Sequence, residues 1–412
     1  MEELQRKYGI WTATAMVIGI VIGSGVFFKA DDVLSASGGR LGVAMLAWLI
    51  GGAIMMVTAL VFAGIAGRIE KVNGVVDYFE EAYGEKAAYL VAWFMTFVYY
   101  PTLVAVLAWV SANYSMSLLH QESGVWLFAF IYMSVFFLLN CLSPVFAGRW
   151  QVSATVIKLI PLALVAVVGI ISGLSSGMTM TNFATSGSQV ADAGGLAMAT
   201  LSTAFAYEGC IIATSINAEL RDAKKTLPRA LFFGASAVVL IYMLYYLGIS
   251  GVLTNEEVLA AGNDAPLNGL IMGSVRGMYS IASRNLGPAP DFFRRIDGRF
   301  NSTIPSALLG YFLSCGWLVV WYGNFHGWWG QFMDISELPI AFLYVIYVSL
   351  YIWVMRSFTD LGFFGRFVAP LAAGCGSCYI IWGAIQKDMF MIFFLITMVI
   401  LAIGLPFISD RK

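Results

Sequence analysis

Apolar residues in this chain come in long unbroken runs, not in the i, i+3, i+4 stripes of a soluble helix. Stretches of roughly 18 to 25 residues with almost no charge recur from end to end, each long enough to cross a hydrocarbon layer about 30 Å thick. The pattern predicts membrane-spanning helices at about 10–36, 41–67, 88–118, 125–143, 152–175, 194–218, 230–253, 267–283, 305–323, 335–355, 366–386 and 388–407. An even number of crossings puts both termini on one side. The eighth run stands apart: its apolar part contains Asn268 and Arg276 and covers only about 24 Å at about 1.5 Å per residue. A crossing is still required there, because the seventh run exits on the far side and the basic stretch between 284 and 299 belongs on the near one. The expectation is a truncated, tilted or re-entrant eighth helix, or a segment lost near Pro266, with residues 255–266 bridging as extended chain.

Composition agrees with the runs. Sixty percent hydrophobic and 11% charged residues, with a mean hydropathy of +0.81, exclude a soluble globule, whose charged fraction is about a quarter. The net charge of −1 is uninformative, but its distribution is not. Arg6, Lys7, Arg68, Lys71, Arg149, the group Arg221, Lys224, Lys225 and Arg229, the arginines from 284 to 299, Arg356, Arg366, Arg411 and Lys412 all fall on the amino-terminal side. Positive charge marks the cytoplasmic face, so both termini are expected in the cytoplasm of a plasma-membrane protein. Lys29, Arg40 and Lys387 are sparse exceptions outside. The first run has no small-residue cleavage site and reads as a retained span.

All five cysteines lie inside predicted spans, and Cys375-x-x-Cys378 has no second pair, so neither disulfide nor zinc is implied. Two histidines, His120 and His326, cannot furnish a metalloenzyme centre. No cofactor is implied. An intramembrane enzyme would need a nucleophile and a base, and Ser24 has no histidine within any span; a channel would need a repeated polar pore-lining stripe.

Two interruptions carry the candidate chemistry. Gly23-Ser24-Gly25 breaks the first run, and a membrane helix tolerates such a break only where exposed backbone meets protein, water or ligand. The half-helix restarting after it presents unpaired N–H groups suited to a carboxylate. Phe205-Ala206-Tyr207-Glu208-Gly209 lies five spans later on a helix of opposite direction, as a five-plus-five inverted repeat requires. Facing each other, amides from the first and carbonyls from both would suit a zwitterionic amino acid, with residues 23–25 and 206–209 non-helical. Lys158 is a further intramembrane charge, about 12 Å deeper than the interface marked by Arg149 and Trp150 and so beyond easy snorkelling.

The motifs Ile22-Gly23-Ser24-Gly25-Val26-Phe27, Phe205-Ala206-Tyr207, and Ala289-Pro290 after Arg284-Asn285 resemble the amino acid, polyamine and organocation transporter superfamily, nearest its L-type amino acid transporter branch. The resemblance covers nearly the whole chain. It implies an all-α, leucine-transporter-type fold: a first inverted repeat at 1–175, a second at 194–355, and two extra helices at 366–407. It also implies alternating access around broken helices 1 and 6 of one transporter domain. Ser24 and Gly25 amides would bind the substrate carboxylate, and carbonyls of Val21, Phe205 and Glu208 the amino group, with Gly23, Ala206 and Tyr207 completing the site. Lys158 would replace the structural sodium of sodium-coupled relatives, implying sodium-independent exchange or proton coupling. The first half of the eighth helix would normally wall that position, so its shortness predicts a vacancy there.

Two departures set substrate identity apart. Glu208 stands where the branch usually has glycine, and Cys210 where it has a bulky aromatic. Glu208 could favour cationic substrates, carry a proton, or bond between helices. The leading expectation is thus a secondary amino acid permease or exchanger. The alternatives are a cationic amino acid or polyamine exchanger and a non-transporting binding or sensor relative. An amino acid and the lipid bilayer are the expected partners, with no nucleic acid and no required partner chain.

Overall fold

A computed structural model describes residues 9–408 apart from 24, 70–72, 122, 143, 185–192, 210–219, 221–222, 262–267 and 298–301; for 144–156, 158, 223–224, 260–261 and 268–273 it describes backbone alone. The helices in chain order are α1 (Ile10–Val21), α2 (Gly25–Phe28), α3 (Ala30–Ala36), α4 (Leu41–Ala66), α5 (Val75–Tyr83), α6 (Glu85–Phe94) and α7 (Tyr100–Leu118). There follow α8 (Val125–Leu142), α9 (Pro144–Ser176), α10 (Met178–Ala184), α11 (Ala193–Tyr207), α12 (Ala223–Ile249), α13 (Asn255–Ala261), α14 (Asn268–Ala282) and α15 (Pro290–Phe293). The last are α16 (Ile304–Phe325), α17 (Leu338–Ser357), α18 (Ala369–Ile385) and α19 (Phe390–Gly404). Among the described residues, ten helical segments are long and apolar enough to cross a membrane. The expected sixth and eighth spans are not among them, because α11 stops at Tyr207 and α14 has only 15 residues.

The chain forms two compact units, one from 1–74, 154–263 and 341–386, the other from 75–153, 264–340 and 387–412. In the first, α4 packs on α11, α12 and α18, and α1 lies along α12. The buried Trp48 ring sits 5.7 to 5.8 Å from the rings of Tyr207, Tyr242 and Tyr246. Acyl chains are as apolar as leucine, so close packing and hydrogen bonds, not water exclusion, hold such a bundle together. In the second unit, α14 is held by α6, α7, α8 and α16. Lipid-facing positions there are large and apolar: Leu127 and Leu138 on α8, Phe312 and Val319 on α16, and Met391 on α19 are all exposed.

Continuous helix runs from α6 to α7 through a π-type turn at Met95–Tyr99. Its cause is Pro101, which has no N–H to give the carbonyl four residues back. That carbonyl, on Phe97, accepts the Trp317 indole N–H at 3.0 Å instead.

Residues 255–266 are not extended throughout. Thr254 and Glu257 form a capping box: the Glu257 N–H donates to the Thr254 hydroxyl at 3.2 Å, and the Thr254 N–H donates to the Glu257 carboxylate at 2.8 Å. This starts α13. The preceding chain is tied in by Asn182, whose side-chain amide donates to the carbonyls of Ser250 and Leu253 at 2.8 Å. Asn182 Oδ1 in turn accepts from the Asn255 N–H at 3.1 Å.

Candidate functional site

The first span breaks where the glycines stand. Helix α1 ends at Val21, Ile22 and Gly23 are non-helical, and helix resumes with Gly25. Gly25 is therefore helical, not part of the gap as expected. On the sixth span, helix persists through Ala206 and Tyr207, two residues further than expected. Glu208 follows in a turn, and Gly209 has φ +108°, a conformation that L side chains avoid and that commonly ends helices. Ser24 and Cys210 lie outside the described residues.

These two ends meet. A Cβ on Gly25 would lie 2.9 Å from the Ala206 Cβ and closer still to its Cα, so only glycine permits the approach. The Phe28 and Phe205 rings stand 5.4 Å apart. Tyr242 on α12 bridges the gap: its hydroxyl lies 3.2 Å from the Val21 carbonyl and 3.1 Å from that of Ala206. Both carbonyls belong to final helical turns, where no intrahelical donor reaches them. The Phe205 carbonyl, a predicted ligand for an amino group, accepts the Glu208 N–H at 3.3 Å. Val21 and Phe205 thus have protein donors here, each with a second lone pair to offer.

Tyr207 is turned toward α4. Its hydroxyl donates to the Trp48 carbonyl at 3.0 Å, which makes it a tie between helices as much as a wall of the site. Glu208 is half-buried and lines a cavity of about 10 Å³ with Met55, Thr58, Tyr207, Gly209, Tyr344 and Tyr347. That is barely room for one water molecule. Lys29, which follows α2, is buried; it pairs with Asp32 at 2.6 Å and its ammonium stands 5.6 Å above the Phe205 ring. Lys158 lies within α9, but its side chain and any vacancy beside it fall outside the described residues.

The residues that hold the break closed are tyrosines of α12, not the glycines that mark it. Tyr242, Tyr245 and Tyr246 share one face of α12 by their i, i+3, i+4 spacing. Tyr245 packs on Phe27 at 5.1 Å between ring centres, and Tyr246 donates to the Ala30 carbonyl at 3.1 Å. Three tyrosines on one face of a span were the available signal.

A multi-pass membrane protein whose first and sixth spans stop and meet at mid-helix has the architecture of leucine-transporter-type carriers. Its fold matches a crystal structure of an Eremococcus coleocola manganese transporter mutant over 99% of this chain and 96% of that one, with a TM-score of 0.57 at 11% identity. The chain belongs to the amino acid permease family, whose profile matches residues 8–268. It is 30% identical over 280 residues to the serine/threonine exchanger SteT of Bacillus subtilis (strain 168), covering 66% of this chain and 62% of that protein. It is 32% identical over 270 residues to the large neutral amino acids transporter small subunit 2 of Mus musculus, covering 63% and 50%. The Asc-type amino acid transporter 1 of Mus musculus is 29% identical over 266 residues, with 63% and 50% covered. These matches support the L-type branch. The chain spans about half to three fifths of the length of these curated relatives.

Proposed function

We propose that this protein is a secondary transporter, a permease or exchanger, that moves amino acids across the plasma membrane without sodium, with both termini cytoplasmic. The observation that carries the reading is the junction of Gly25 with Ala206, bridged by Tyr242. Two helix ends brought together by one hydroxyl can part when that hydroxyl lets go, which is what alternating access around a central site requires. In the open form the Ser24 and Gly25 amides take the carboxylate, and the Val21, Phe205 and Glu208 carbonyls take the amino group, beside Gly23, Ala206 and Tyr207. The relatives described as amino acid exchangers and transporters support the solute class. No catalytic chemistry is proposed. Sodium independence rests on Lys158 supplying the positive charge of a structural cation.

Glu208 favours a second reading, a cationic amino acid or polyamine exchanger, since its carboxylate shares its cavity with the side chains of Thr58, Tyr344 and Tyr347. Radiolabelled uptake by the purified chain alone in proteoliposomes, with neutral and cationic amino acids and with or without sodium, separates the two. Uptake of neutral amino acids unchanged by sodium and abolished in Lys158→Ala is expected. Sodium-dependent uptake, or a fully active Lys158→Ala, would overturn the lysine assignment, and uptake of none would leave only a binding relative.

A further inference from the structure

Helix α16 contains three glycines, and two of them have an evident use. A Cβ on Gly310 would come within 2.7 Å of the Ser274 carbonyl oxygen, and one on Gly323 within 2.7 Å of the Trp328 ring, so each lets a neighbour approach. A Cβ on Gly316, between them, would meet nothing within 4 Å. Glycine weakens a helix relative to any residue with a straight side chain, so a glycine that admits no neighbour is explained by the space it leaves. That space belongs to a cavity of about 660 Å³, inside the range of about 300–1,000 Å³ usual for sites that bind small molecules.

Helices α16 and α19 each pack on the π-type turn at Met95–Tyr99, and the cavity lies between them. Gly316, Trp317 and Val320 line it on one side and Ile392, Ile396 and Ile400 on the other, with Phe97 at the turn. From Met389, just before α19, to Ile400 the groove descends about 16 Å at about 1.5 Å per residue. One leaflet of hydrocarbon is about 15 Å deep, half of a core about 30 Å thick. Trp328 and Trp329, both exposed, stand at the Met389 end, and indoles settle at the level of lipid headgroups. Water does not suit the interior, because it needs several polar partners and the Trp317 N–H is already given to the Phe97 carbonyl at 3.0 Å. Left empty, the walls would forfeit their dispersion contacts.

We propose that this groove is a lipid site, which seats one acyl chain of a phospholipid from the leaflet on the Trp328 side, with the chain's end against Phe97. The depth is that of a single leaflet. Gly316 and Phe312 are exposed along the groove's length, so its side is open to the bilayer and the second chain of the same lipid stays among its neighbours. The seated chain covers the Trp317 indole and keeps water from its bond to the Phe97 carbonyl, the bond that mends the helix above Pro101. Lipid is then a structural ligand of the second unit, one that braces the π-type turn. The inference depends on the membrane setting alone and holds whatever solute the protein carries.

Photolabelling tests it. The full chain is placed in nanodiscs of palmitoyl-oleoyl phosphatidylcholine with a trace of phosphatidylcholine that carries a diazirine midway along one chain, and the labelled peptides are identified by mass spectrometry. Peptides of α16 and α19 should label more heavily than those of α8, whose Leu127 and Leu138 are simply exposed to lipid. The excess should disappear in Gly316→Leu, whose side chain occupies the open space, and equally in Ile396→Phe, which fills the groove from the opposite wall. Labelling of α16 and α19 no heavier than that of α8, or an excess that persists in either folded variant, would overturn the site. Displacement of the label by cholesterol, but not by unlabelled phosphatidylcholine, would put a rigid polycycle in place of the chain and overturn the assignment. For the brace, the melting temperature of the parent in mild detergent should rise on addition of phosphatidylcholine, and that of Gly316→Leu should stay where it is. Equal rises in the two proteins would remove the groove from the stabilisation.

Discussion

In one unit the Tyr242 hydroxyl serves two carbonyls, those of Val21 and Ala206, at the ends of two different helices; in the other the Trp317 indole serves the single carbonyl of Phe97 inside a helix that never stops. Both are aromatic donors answering a carbonyl that the helix ladder has abandoned, and in a medium without water each such carbonyl costs heavily if left unpaired. The difference lies in what made the gap. Proline at 101 removes one donor while its ring still holds a helical φ, so the π-type turn at Met95–Tyr99 absorbs the defect and the helix carries on. At Ile22 and Gly23 the chain leaves the helix altogether, and Gly25, where helix resumes, admits the close approach of Ala206. A mended proline gap leaves the helix continuous. A glycine gap closed by one tyrosine is a joint.

The sharpest way to break this comparison is Gly25→Ala. The added methyl overlaps the Ala206 backbone, so the helix ends are forced apart and uptake should be lost entirely, with stability lower by about 1–3 kcal/mol from overpacking. Near-normal uptake would mean that the junction is not the working site. A smaller effect is expected from Tyr242→Phe, which removes the bridge but keeps the ring. Uptake should fall about tenfold with stability reduced by about 1–3 kcal/mol, the cost of unpaired buried carbonyls. Its counterpart Trp317→Phe should cost a similar amount of stability and leave KM within about twofold. Equal damage to transport by both substitutions would erase the distinction between joint and mend.

The smallest effect concerns α13. Donation from Thr254, first from its N–H and then from its hydroxyl, holds the Glu257 carboxyl below its ordinary value of 4.5. Because the folded value is the lower one, the cap's contribution is complete above 4.5 and is lost as pH falls through the depressed value. Amide-exchange protection of α13, corrected for intrinsic rates, should therefore weaken at acid pH in the parent. In Thr254→Ala it should be weak and flat with pH, while uptake stays unchanged.

Much of this was legible along the chain. Gly23 and Gly209 announced their breaks because glycine leaves a membrane helix easily, and the shortness of the eighth span was visible as a deficit of apolar length. The Thr254-to-Glu257 capping box was equally present as a spaced pair, and the expectation of extended chain passed over it. The ends of the breaks were misplaced by a residue or more. Helix persists through Tyr207 because that side chain is pinned to the Trp48 carbonyl, a contact 159 residues distant in sequence.

The sequence alone determined the membrane class and marked the two places where helices stop, because these follow from apolar length and from the conformational freedom of glycine, which are properties of neighbours along the chain; the family rested on the resemblance carried by the motifs at 22–27 and 205–207. Only the tertiary structure decided that Tyr242 spans the junction and that Glu208 opens onto a space barely large enough for water. Those facts depend on which helix lies against which. In a chain apolar nearly all round, local pattern does not specify the rotation of each helix; packing and the pairing of abandoned carbonyls do.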